Sequence, residues 1–130
     1  MVLSPGIKNN PYQKFVRYLK KNYPIRNVKI EVRLLGDPHI DYKTPDGVMK
    51  ASATFCVKNK NSALMKIAIG DPKDTLERHL KSLAHEYRHC IQYFQHKMVF
   101  DTAVDQKKEL DAELFAMRVV KDYLKSTMNN

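Results

Sequence analysis

Residues 85 to 89 read His-Glu-Tyr-Arg-His, an H-E-x-x-H segment whose residue types and spacing suit hydrolytic chemistry. In a helix, positions i and i+4 stack on one face, so His85 and His89 can aim both imidazoles at one divalent cation. Glu86 is turned by ~100° around the helix axis from His85. That offset places its carboxylate beside such an ion rather than on it. From there Glu86 can hold and deprotonate a water at the ion, acting as the general base of a metal-dependent hydrolase. Two exposed histidines on a polar helix face would give the same five letters, so the elements around them decide what the segment means.

The carrying helix is expected to start after Gly70, with Asp71 as N-cap and Pro72 as its first residue, and to run to about His96. Leu76, Leu80, Leu83, Tyr87, Cys90, Ile91 and Phe94 form an apolar stripe along it, with His85, His89 and Gln92 nearly opposite. The histidine face therefore turns away from the core, as a cleft wall would. A last helix is expected to open at Thr102, with Asp105 completing a capping box, and to reach about Lys125. Its apolar face is Ala112, Ala116, Val119, Val120 and Tyr123, and Glu109 and Glu113 fall one turn apart in the middle of that stripe. A carboxylate is costly to bury unless it is paired or bound to a metal. One explanation serves both residues: Glu109 completes a His85–His89–Glu109 zinc site, one ion per chain, and Glu113 accepts a hydrogen bond from the free N–H of a ligand histidine. The alternative is that they reach water or pair with Arg78 or Arg88.

The remaining elements follow from shorter patterns. Asn10-Pro11 reads as the N-cap and first residue of a helix to about Asn22, with Tyr12, Phe15, Val16 and Leu19 as its apolar stripe. Val28, Ile30, Val32 and Leu34 alternate with charged residues and predict a half-buried strand. Thr44-Pro45-Asp46-Gly47 is a turn, Val48 to Val57 a second strand, Lys58 to Ser62 a polar hairpin loop, and Ala63 to Ile69 a third strand. The order helix, three strands, helix, helix implies one α+β domain over residues 1–130 with a three-stranded antiparallel sheet.

Twenty residues after His89 stands Glu109-Leu110-Asp111-Ala112-Glu113-Leu114-Phe115-Ala116. H-E-x-x-H followed by this stretch resembles the gluzincin zinc metallopeptidases, above all the small ImmA/IrrE-type proteins and minimal zincin domains, some of them phage-encoded. Their second helix reads like E-x-x-A-(N/D)-x-F-A. The resemblance covers about residues 63–125. It implies a zincin-like fold whose C-terminal helix supplies the third ligand, Glu109, with Ala112 and Phe115-Ala116 as packing residues. Glu113 departs from the pattern, which carries Asn or Asp there. The implied activity is zinc-dependent cleavage of a protein or peptide substrate lying extended along a sheet edge, either Ala63 to Ile69 or the segment around Ala51 to Phe55. Tyr93, His96 and Tyr123 are the candidate donors to the transition-state oxyanion. A metzincin would need Gly and His where Gln92 and Gln95 stand. SprT-type proteases take a later third histidine, which leaves His96 as a minor ligand candidate.

Composition sets the surroundings. The 130 residues carry a net charge of +9, of which +7 lies in the first 36 residues. That basic third could contact nucleic acid or an acidic protein, or simply keep the chain soluble. The rival to a peptidase is accordingly a zincin-like binding module that uses this surface and cuts nothing. Sparse cysteines, Cys56 and Cys90, predict reduced thiols and a cytoplasmic protein, and no apolar run is long enough to span a bilayer. His39 and His79 have no partner at useful spacing and are expected on the surface.

Overall fold

The computed structural model describes residues 11–97 and 106–128, apart from the side chains of Thr44 and Met128. The expected caps at Asn10 and Thr102–Asp105 lie outside the described residues. The elements are α1 (Pro11–Asn22), β1 (Lys29–Leu35), β2 (Ile40–Thr44), β3 (Gly47–Ala51), β4 (Ala53–Asn59), β5 (Ser62–Ala68), α2 (Leu76–Phe94) and α3 (Gln106–Met128). The α+β class expected from sequence is observed, and no helix among the described residues is long and apolar enough to cross a membrane.

The sheet differs from expectation. Its order is β1-β5-β4, with β5 parallel to β1 and antiparallel to β4, so it is mixed rather than antiparallel. Alternation along β1 shows which side chains face the core but not which strand lies alongside. β5 buries Ala63, Met65, Ile67 and Ala68 and takes the centre; β1 buries Ile30, Val32 and Leu34 beside it. β4 is left as an edge among the described residues. The expected second strand is broken at Ser52: its first part, β3, pairs with the unexpected β2 in a separate hairpin around Pro45-Asp46. Gly47, at φ 123°, supplies the left-handed backbone that closes this turn.

α2 begins four residues later than expected. Asp71 caps a preceding turn by accepting from the Lys73 N–H (2.9 Å), and the helix N-cap is Thr75, whose Oγ1 accepts from the Arg78 N–H (3.2 Å). Pro72 sits in that turn, since its ring suits a fixed bend as well as a first helical position. One side of α2 buries Leu80, Leu83, Tyr87, Cys90 and Ile91 in a core shared with Phe15 and Leu19 of α1, the sheet, and Phe115, Val119 and Val120 of α3. Leu76, also on the expected stripe, stays exposed. Burial pushes the Cys90 thiol well above its usual range, in keeping with an inert packing role, whereas Cys56 is an exposed free thiol.

Candidate metal centre

The polar side of α2 does not face open water. It packs against α3, and this seam brings the predicted residues together. His85 Nε2 lies 3.1 Å from His89 Nε2, and the Glu109 carboxylate spans them, with Oε2 3.0 Å from His85 Nε2 and Oε1 3.1 Å from His89 Nε2. His85, His89 and Glu109 thus form a group that could hold a metal ion. Tetrahedral zinc with bonds of ~2.0–2.1 Å sets its ligand atoms about 3.3–3.4 Å apart, a few tenths of an ångström wider than these contacts.

The hydrogen bonding behind His89 orients its ring toward this group. Gln92, fully buried, donates through Nε2 to the Lys108 carbonyl (3.1 Å) and to Asp111 Oδ2 (2.8 Å), so its Oε1 can only accept. His89 Nδ1 therefore donates to it (2.9 Å), which leaves the Nε2 lone pair facing His85 Nε2 and the Glu109 carboxylate. Burial lowers the His89 pKa, with the Gln92 bond and the Glu109 carboxylate opposing.

Asp111 is clamped in turn by Arg88, 2.7 Å from Nε, and that pairing, with the Gln92 bond, holds the Asp111 carboxyl below its ordinary pKa. The chain Arg88–Asp111–Gln92–His89 ties α2 to α3 and fixes the tautomer of a ligand. Sequence alone does not single it out, because Asp111 reads as solvent-facing and Gln92 as one more polar residue. The available signal is a Gln one turn beyond the second histidine, on the same face. Replacing Gln92 with Met, which keeps most of its volume, is expected to weaken zinc binding by ~10–100-fold, the usual cost of losing a ligand's outer hydrogen-bond partner. Competition with a chromogenic zinc chelator measures this; unchanged affinity would remove Gln92 from the centre.

The expected burial of the two glutamates is not observed. Their side chains are 49% (Glu109) and 63% (Glu113) exposed. Ala112 and Ala116 face the core, whereas positions 109 and 113 run along the rim of the α2–α3 seam and reach across it. The cost of burying charge therefore has no part in placing Glu109; its contacts do. Neither glutamate pairs with an arginine, since Arg78 meets Asp74 and Arg88 meets Asp111. Glu113 Oε1 comes within 3.0 Å of His85 Nδ1, yet that nitrogen has no partner in hydrogen-bond geometry. The expected bond to a ligand histidine is made by Gln92 on His89 instead.

Glu86 is half-buried in the wall of a cleft of ≈ 370 Å³ beside His85. The opposite wall is the Ala51-Ser52-Ala53 stretch at the β3–β4 junction, and Glu113 closes one side. Burial, with the Glu109 charge behind it, pushes the Glu86 carboxyl up to about 8. The expected oxyanion donors do not line this cleft. Tyr123 stands ten residues beyond Glu113, ~15 Å along the helix, with its ring against Phe15 and Tyr18. Tyr93 packs on Phe94, and His96 lies past the end of α2, outside the ligand group. None of Lys14, Arg17, Lys20 and Lys21 lines the cleft; Lys20 donates to the Ile30 carbonyl (3.0 Å). His79, expected on the surface, is buried with Nδ1 3.0 Å from the Tyr12 hydroxyl. No family model, curated protein or solved structure matches the chain.

Proposed function

We propose that this protein is a zinc-dependent peptidase with His85, His89 and Glu109 as metal ligands and Glu86 as the general base. The observation that carries the proposal is the convergence of His85 Nε2, His89 Nε2 and the Glu109 carboxylate at 3.0–3.1 Å across the α2–α3 seam, with Gln92 orienting His89 from behind. When bound, zinc would supply a Lewis acid that lowers the pKa of water and polarises a carbonyl. The chain's own residues do the rest. Glu86, free of hydrogen bonds and ion pairs among the described residues, removes a proton from the attacking water as its oxygen bonds to the scissile carbonyl carbon. The same proton passes to the leaving nitrogen as the C–N bond breaks.

The substrate chain has one strand to join beside the site. β5 is paired on both sides, so the Ala63 to Ile69 alternative is closed, whereas β4 offers a free edge among the described residues. Ala53 of β4 lines the cleft, and the Phe55 ring lies 6.3 Å from the His89 ring. An extended peptide can add to that edge with its backbone and present a carbonyl at the cleft.

The test is digestion of a proteome-derived peptide mixture by zinc-loaded protein, with mass-spectrometric identification of new termini. Cleavage that disappears with 1,10-phenanthroline and returns with added zinc is expected. Stoichiometric zinc binding with no new termini would reject the peptidase and leave a binding module.

A further inference from the structure

Alternation gives the three-stranded sheet two faces. Ile30, Val32 and Leu34 of β1 and Ala63, Met65 and Ile67 of β5 turn to the core, where all three helices pack. Phe55 of β4 packs against the same core. The intervening residues Lys29, Glu31, Arg33, Thr54, Leu64 and Lys66 turn the other way, and each is half-buried or exposed.

This open face is charged, and unevenly. Lys58, although next to an irregularity in β4, belongs to it, because its Nζ reaches within 3.9 Å of Glu31 Oε1. Among the described residues of the three strands, Lys29, Arg33, Lys58 and Lys66 thus share the face with a single acid, Glu31, and the net charge there is +3. Glu31 is engaged by Arg33 (2.8 Å) and, at longer range, by Lys58. Lys29 and Lys66 form no ion pair among the described residues.

The strand register sharpens the imbalance. Arg33 and Lys66 are direct partners across β1 and β5, and Thr54 is the partner of Lys66 on β4. Like charges directly opposite destabilise a sheet, and an acid at either position would relieve the cost. The row Arg33–Lys66–Thr54 instead sets a guanidinium, an ammonium and a hydroxyl on neighbouring strands, a donor set that suits a phosphate. Lys29, paired with Ser62, begins a second row four residues back along both strands, ~13 Å away at the usual strand rise.

We infer that this face docks on the phosphate backbone of double-stranded DNA. The ~13 Å between the rows is close to the ~12 Å width of the B-DNA major groove, so each row can meet the phosphates on one side of it. The narrow major groove of an RNA duplex does not offer that span. None of the described residues on the face is aromatic, which leaves nothing to stack on the bases of a single strand. A strand surface that meets only phosphates positions the protein without reading sequence. The contact is independent of the peptidase reading, since the metal-ligating group lies between α2 and α3 on the other side of the sheet.

Binding is tested by fluorescence anisotropy with a labelled mixed-sequence DNA duplex, titrated at several salt concentrations. Because the whole chain is basic, the decisive comparison is between two neutralisations of equal size. Lys29→Gln/Lys66→Gln alters the open face, and Lys14→Gln/Arg17→Gln alters the exposed side of α1. The first is expected to weaken binding by about tenfold or more, and to flatten the slope of log K against log salt by about 0.9 for each lysine that meets a phosphate. The second should change both much less. Lys66→Gln removes a like charge from beside Arg33, so it does not endanger the fold; Lys66→Arg keeps the charge and should bind as the wild type does. Equal losses from the two neutralisations, or an unchanged salt slope in the face variant, would overturn the inference. So would binding of an RNA duplex or a DNA single strand as tightly as the DNA duplex, or displacement of the duplex by polyglutamate at equal charge concentration.

Discussion

Glu86→Gln is expected to lower peptide cleavage by ~10²–10⁴-fold, the usual contribution of a positioned acid–base group, while leaving the zinc content at that of the wild type. The amide keeps the shape of the carboxylate and its place in the cleft wall, so neither the packing of α2 nor the ligand group is disturbed. What it loses is the ability to take a proton. Without a metal, burial and the Glu109 charge hold the Glu86 carboxyl up at about 8, so it is largely protonated at neutral pH. A cation held by His85, His89 and Glu109 would oppose both effects and favour the ionised carboxylate. Cleavage by the zinc-bound variant at a near wild-type rate, followed by the appearance of new peptide termini, would place the base elsewhere.

The centre was legible in sequence where one helix dictates geometry. The i, i+4 spacing of His85 and His89 places them together whatever surrounds them, and their Nε2 atoms are indeed 3.1 Å apart. The sequence also singles out Glu109, which does meet both histidines, though for a reason that does not hold: it lies at the rim with 49% exposure, not stranded among apolar side chains. A helical wheel places a residue at an angle but does not say how far a neighbouring helix covers that angle. The sequence places Gln92 on the histidine face but not its role, which depends on two acceptors from α3, the Lys108 carbonyl and Asp111, that no local pattern reports. Tyr123 lies some three turns beyond Glu113 on the same helix, a separation that the expected helix itself implies and that sets the residue apart from the cleft.

The fold was legible to the same depth. Faces and most boundaries follow from periodicity, as in α1 and in the alternate burial of Ile30, Val32 and Leu34. Strand partners do not. β1 pairs with β5 across an intervening hairpin and an edge strand, and the choice is made by which strand has the most apolar surface to hide. That outcome matters for function, because it leaves β4 as the edge beside the cleft.

Glu109→Ala is expected to abolish stoichiometric zinc binding without unfolding the protein. Two imidazoles offer only neutral donors, and the carboxylate supplies both the third donor and the negative charge that compensates the ion. Its loss should therefore exceed the ~10–100-fold cost of removing an outer partner such as Gln92. Stability of the metal-free chain should change little, since substitutions at exposed positions usually stay within ±0.5 kcal/mol. The variant also relieves the repulsion that Glu109 exerts on Glu86. These opposite expectations separate a ligand from a structural residue. In wild-type protein, free zinc at about 100 times its dissociation constant should stabilise the fold by about 2.7 kcal/mol, and in Glu109→Ala the same zinc should leave the unfolding midpoint where it was. Elemental analysis after dialysis should give near one zinc per wild-type chain and almost none in the variant. A variant that keeps its zinc, or that is stabilised by it as the wild type is, would show that the third ligand is another residue.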